Sequence, residues 1–142
     1  MIRAMVFIVL LAIAAGLTAQ YVPVEIQNNA EDINGRQLVT KFRDVIRYSP
    51  SYIIGYADGE PHFKVRIDTM DRWKGDAENE GISTIYNYSI FINMNGIDIY
   101  CYSQLGYVGK DVLDDVAYQI YSDLDDNVEA FRQYVAEYLD DY

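Results

Sequence analysis

The chain is short of the residues on which most chemistry is built. It has one cysteine, one histidine, one tryptophan and three prolines in 142 residues. A single cysteine, Cys101, excludes an intramolecular disulfide. A single histidine, His62, leaves no second imidazole for a metal pair or a relay. Basic residues are also scarce: 11 Lys and Arg against 22 Asp and Glu, a formal charge of −11. Such a surface repels phosphate backbones and anionic lipid, which argues against nucleic-acid partners.

Long apolar runs are lacking except at the start. Met1-Ile2-Arg3 carries charge, Ala4–Leu17 is almost wholly apolar, and Thr18-Ala19 leads to Gln20. That pattern predicts a signal peptide over residues 1–19, cleaved after Ala19. The apolar run of 14 residues is shorter than the ~20 needed to span a bilayer, so stable insertion after signal removal is not expected. The expectation is an exported protein, periplasmic or secreted, with one domain over 20–142. Without Arg3 its balance is 10 basic to 22 acidic groups, or −12.

What the chain does have is aromatic and β-branched residues: 14 tyrosines, and runs of isoleucine around turn signals. The strongest such signal is Asn95-Gly96, between Ile82–Met94 and Ile97–Leu105. A type I′ turn needs positive φ at both central residues, and Asn-Gly supplies it. A two-residue turn pairs Met94 with Ile97, Ile92 with Ile99, Ile90 with Cys101, Tyr88 with Ser103 and Tyr86 with Leu105, making one largely apolar face. Phe91 with Tyr100, Ser89 with Tyr102 and Asn87 with Gln104 fall on the other. Cys101 then lies on the core side, as a buried packing residue.

A second hairpin is expected around Asp58-Gly59, pairing Ile54 with Phe63 and Tyr52 with Val65. Lys64, Arg66 and Asp68 point to its polar face, and the strand extends towards Met70 or Asp71. Before it, Leu38, Val39, Phe42, Val45 and Ile46 recur at helical spacing, with Asp32 or Asn34 as cap and Ser49-Pro50 as stop. Tyr21–Ile26, which contains Pro23, predicts an edge strand or an arm. Residues 72–81 predict a loop holding Trp73. Gly106 to Gly109 predicts a strand break. Two further helical stripes follow, Val112 to Leu124 and Val128 to Leu139, separated or bent at Asp125-Asp126-Asn127.

The predicted fold is α+β: a four-stranded antiparallel sheet of two hairpins with helices on one face. The order is helix, four strands, then two helices.

No catalytic constellation emerges. Asp123–Glu129 lacks the glycine and the closing acid of a calcium loop, with Val128 and Tyr134 in their places. Paired acids such as Asp114-Asp115 are neighbours on a helix surface, where solvated charge is the plainer reading. No cofactor and no metal site is expected, and the chain is not expected to be an enzyme. One surface stands out: a sheet face showing Phe91, Tyr100, Tyr102, Asn87, Gln104 and Arg66, with Trp73 nearby. Rings beside amides and hydroxyls suit a protein interface. They equally suit cross-strand pairing within the sheet. The functional expectation is therefore an accessory or protein-interaction module of the bacterial cell envelope. The alternative is a glycan or small-molecule binding module using the same aromatics.

Overall fold

A computed structural model describes residues 21–140, so the signal-peptide assignment falls outside the described residues. The elements are β1 (Val22–Ala30), α1 (Ile33–Tyr48), β2 (Tyr52–Ile54), β3 (His62–Asp71), β4 (Ser83–Met94), β5 (Ile97–Gly109), a 3-10 turn (Lys110–Val112) and α2 (Leu113–Asp140). They form an α+β fold: one five-stranded mixed sheet, order β2-β1-β3-β4-β5, and two helices. Both helices pack into the same core. Leu38 and Phe42 of α1, and Ile120 and Leu124 of α2, meet Ile67 and Ile90 of the sheet.

The hairpin expected around Asp58-Gly59 does not exist. β1 is an interior strand, parallel to β2 on one side and to β3 on the other. Val24 is the register partner of both Ile54 and Phe63, the two residues the hairpin would have joined. The reason lies in α1. A helical crossover returns the chain beside β1 in the same direction, as parallel pairing requires. Residues 55–61 then carry the chain to the other flank of β1. Asp58-Gly59 does turn, with Gly59 at φ 78°, but the strands around it never pair.

α1 starts where expected. Asp32 is its cap, and one carboxylate oxygen accepts from the Gly35 amide at 3.2 Å. The other oxygen accepts from Thr69 Oγ1 at 2.5 Å and Thr84 Oγ1 at 3.0 Å, tying the helix start to β3 and β4. Of its apolar stripe, Leu38, Val39, Phe42 and Ile46 are buried. Arg47 sits in the last turn, complementing the helix dipole.

The last two helical stripes are one continuous 28-residue helix, about 42 Å long. Asp125, Asp126 and Asn127 do not cap or break it. The apolar spacing continues past them, from Ile120 and Leu124 to Val128 and Val135, all buried, and no glycine or proline interrupts. Val112, assigned to that stripe, lies instead in the exposed 3-10 turn. Lys41 Nζ to Asp114 at 2.7 Å links α1 to α2.

The helix start makes a specific demand on residue 35. A Cβ there would lie 1.7 Å from Thr69 Oγ1, in a site already filled by the Asp32 hydrogen bonds. Gly35→Ala should therefore destabilise the fold by about 2 kcal/mol or more through overpacking. Gly109 has no atom near its Cβ position and an ordinary extended backbone, so Gly109→Ala should stay within about 0.5 kcal/mol. Urea unfolding midpoints of the two variants check this.

Candidate functional site: the open face of the sheet

The β4–β5 hairpin forms at the predicted turn, with Asn95 at φ 53° and Gly96 at φ 82°. Its register is as expected from Met94↔Ile97 to Phe91↔Tyr100. There it changes. Cys101 is an extra residue, and the next pair is Ile90↔Tyr102. Because side chains alternate with a period of two, one extra residue exchanges the faces of everything beyond it.

The exchange corrects two members of the expected site. Tyr102 and Gln104 lie on the helix-covered side. Gln104 Oε1 accepts from the Tyr102 hydroxyl at 3.0 Å and lies 3.0 Å from that of Tyr88. The buried Tyr88 hydroxyl donates to the Asp123 carboxylate of α2, so Asp123 faces the sheet rather than solvent. Leu105 and Tyr107, expected inside or in a break, sit on the open face at 71% and 68% exposure. β5 does not break at Gly106. That glycine lies opposite Tyr86, whose hydroxyl would be 2.6 Å from a Cβ there. The bare backbone makes room for the ring. Ile99, placed on the core side, stays 42% exposed towards the hairpin tip.

The other predicted residues do share the open face. Phe91 and Tyr100 are opposite each other, rings edge-on with centroids 6.0 Å apart. Arg66 lies over Phe91 at 5.6 Å and pairs with Asp68 at 3.1 Å. Asn87 is the register partner of Asp68. Tyr100 is 60% exposed, with its hydroxyl 2.9 Å from Ser103 Oγ. Lys64 Nζ meets Asp98 at 2.9 Å; this contact raises the Lys64 pKa and, with the Asn93 amide, lowers that of Asp98.

Trp73 lies at the other end of this face and is joined to it by Arg72, a residue that the sequence did not single out. The Arg72 guanidinium sits 5.0 Å from the Trp73 ring and 4.7 Å from the Tyr107 ring. Register carries the apolar surface along: Met70 pairs with Ile85, and Ile85 with Tyr107. Met70, Leu105, Tyr107 and Trp73 are all exposed. The signals were present, in the alternation Lys64, Arg66, Asp68, Met70, Arg72 and in Gly106 within a strand.

His62 is not a surface residue. It is 5% exposed and stacks on Tyr56, with centroids 3.7 Å apart. Its Nδ1 is 2.8 Å from the Glu60 carbonyl and its Nε2 3.2 Å from the Glu25 carboxylate. These contacts fasten the crossing segment 55–61 to β1 and β3. Burial raises the pKa of the Cys101 thiol, which holds it away from the nucleophilic thiolate. Among the described residues no His, Cys, Asp and Glu side chains gather as a metal site, and no helix is long and apolar enough to cross a membrane.

No protein-family model matches the chain, and no curated protein is similar enough to it to be a relative.

Two tyrosines hold α2 against the sheet. Tyr88 donates to Asp123, and Tyr52 donates to Asp125 at 2.6 Å. Burial and then the adjacent carboxylate push both phenols well above their ordinary value of about 10. The folded state thus keeps protons that the unfolded chain loses. Their stabilisation is complete below about pH 10 and is lost as pH rises beyond it, by up to about 1.4 kcal/mol per pH unit for each phenol. Tyr88→Phe should flatten that alkaline fall and cost roughly 1.5–3 kcal/mol at neutral pH. Denaturant titrations between about pH 7 and 11, spanning the ordinary phenol value, check both effects.

Proposed function

We propose that the chain is an exported, non-enzymatic accessory domain of the bacterial cell envelope, periplasmic or secreted, that binds a protein partner through the open face of β3, β4 and β5. The observation that carries this reading is Leu105 with Tyr107. Both lie within a long strand, point away from the core and are largely solvent-exposed. Core packing gives no reason for apolar side chains there. Together with Met70, Trp73 and Arg72 they make the tyrosine, tryptophan and arginine mixture found at the centres of protein interfaces. Export rests on the amino-terminal sequence pattern, and the non-enzymatic reading on the structural engagement of His62 and Cys101.

A glycan-binding role draws on the same rings. One face of Tyr107 is already taken by Arg72, which favours the protein reading.

Leu105→Ala and Tyr107→Ala should each reduce partner capture from an envelope extract by about tenfold, while leaving unfolding free energy within about 0.5 kcal/mol. Tyr100→Ala should weaken capture less, since Phe91 and Ser103 already occupy its ring and hydroxyl. Undiminished capture by the Leu105 and Tyr107 variants contradicts the reading. A tryptophan emission change with soluble glycans, lost in Tyr107→Ala, favours the glycan alternative.

A further inference from the structure

Among the described residues β5 ends the sheet, with β4 its sole strand neighbour. It is 13 residues long, about 44 Å, and carries one charged side chain, Asp98, near its start. Natural edge strands discourage further pairing by being short or by carrying lysine, proline or a bulge. Here the bulge at Cys101 falls in the first half. From Tyr102 to Gly109 the pairing with β4 is uninterrupted, and no residue in that stretch is charged or proline. An edge of this kind can accept another strand.

Arg72 stands at the same end. Lys41, Arg47, Lys64, Arg66, Lys74 and Arg132 each reach a carboxylate. Among the described residues Arg36, Arg43, Arg72 and Lys110 make no ion pair, and of these four Arg72 alone lies over aromatic rings of the open face. Its contacts are the two rings that hold it over β5. Stacking uses the faces of the guanidinium and leaves its in-plane N–H groups as donors. A carboxylate is the group whose two oxygens match that fork.

We propose that the edge of β5 takes up an extended peptide of the partner protein as a sixth strand, and that Arg72 selects a peptide bearing a carboxylate side chain beside Tyr107. The proposal rests on the open-face reading and names the chemistry of the partner. Main-chain hydrogen bonds to β5 would supply the affinity, and Leu105 and Tyr107 would receive alternate side chains of the added strand. A second copy of β5 is the poorer occupant. Its one carboxylate, Asp98, is already engaged by Lys64 and Asn93, and pairing would join two strongly acidic chains.

Trp73, the sole tryptophan, is a built-in reporter beside Arg72. The probes are three synthetic eight-residue peptides of alternating threonine and valine: one with a central glutamate, one with lysine there, and the glutamate peptide with proline beside it. Titrated against the purified protein, the glutamate peptide should saturate a change in emission. The lysine peptide should bind about tenfold more weakly, and the proline peptide not at all. Arg72→Gln should bring the glutamate and lysine peptides to within about twofold of each other, with no shift in the thermal midpoint. Failure of the glutamate peptide to bind overturns the proposal, as does equal binding of the lysine or proline peptide. So does a concentration-dependent dimer, seen by sedimentation, that Ser103→Pro dissolves. In any of these cases a retained capture defect of Leu105→Ala leaves the open-face reading standing.

Discussion

A single extra residue in β5 decides what this protein shows to solvent. With Cys101 inserted opposite the Ile90–Phe91 step, every side chain from Tyr102 onward changes sides. The core gains Tyr102 and Gln104, and through Gln104 and Asp123 it satisfies the buried Tyr88 hydroxyl. The outside gains Leu105 and Tyr107. Without the insertion, Leu105 would sit where Gly106 now lets the Tyr86 ring lie close to the backbone. Bulge, glycine and tyrosine are thus mutually consistent, as features that fix one register should be.

The opposite half of the sheet is governed by a different constraint. β1 lies between β2 and β3 because α1 must pack its apolar stripe on the sheet before the chain returns. Asp32 joins the two halves. It caps α1 while accepting from threonines on β3 and β4, and the contact is so close that residue 35 has no room for a side chain. The segment crossing from β2 to β3 is held by His62, Tyr56, Glu60 and Glu25. Apolar surface therefore remains exposed on β3 to β5, away from that crossing, where Arg72 bridges Trp73 and Tyr107.

Much of this was legible in the residues, and the failures have identifiable physical origins. Helical spacing located α1 and narrowed its cap to Asp32 or Asn34, of which Asp32 is the cap, because burial and capping are both local. Asn95-Gly96 located the turn and the first four cross-strand pairs for the same reason. Asp58-Gly59 misled, since a turn signal does not say whether its flanking strands pair with each other or with a third. That choice was made by β1, whose proline suggested an edge strand or an arm. The bulge was invisible to simple alternation. Only the glycine at 106 hinted that the strand continued past it with a ring lying over bare backbone. Asp125-Asp126-Asn127 suggested a boundary by composition, but the buried stripe of α2 ran through it unbroken. The candidate face was consequently recovered in its larger part: Phe91, Tyr100, Asn87 and Arg66 are on it, Trp73 joins it through Arg72, and Tyr102 and Gln104 are beneath it.

The exposed surface proposed for partner binding stands or falls with the register of β5 beyond Cys101. Cross-strand nuclear Overhauser contacts between backbone protons of β4 and β5 measure that register directly. The account predicts contacts placing Tyr88 opposite Gln104 and Tyr86 opposite Gly106. Contacts placing Tyr88 opposite Ser103 and Tyr86 opposite Leu105 would contradict it, returning Leu105 to the core and removing the docking surface.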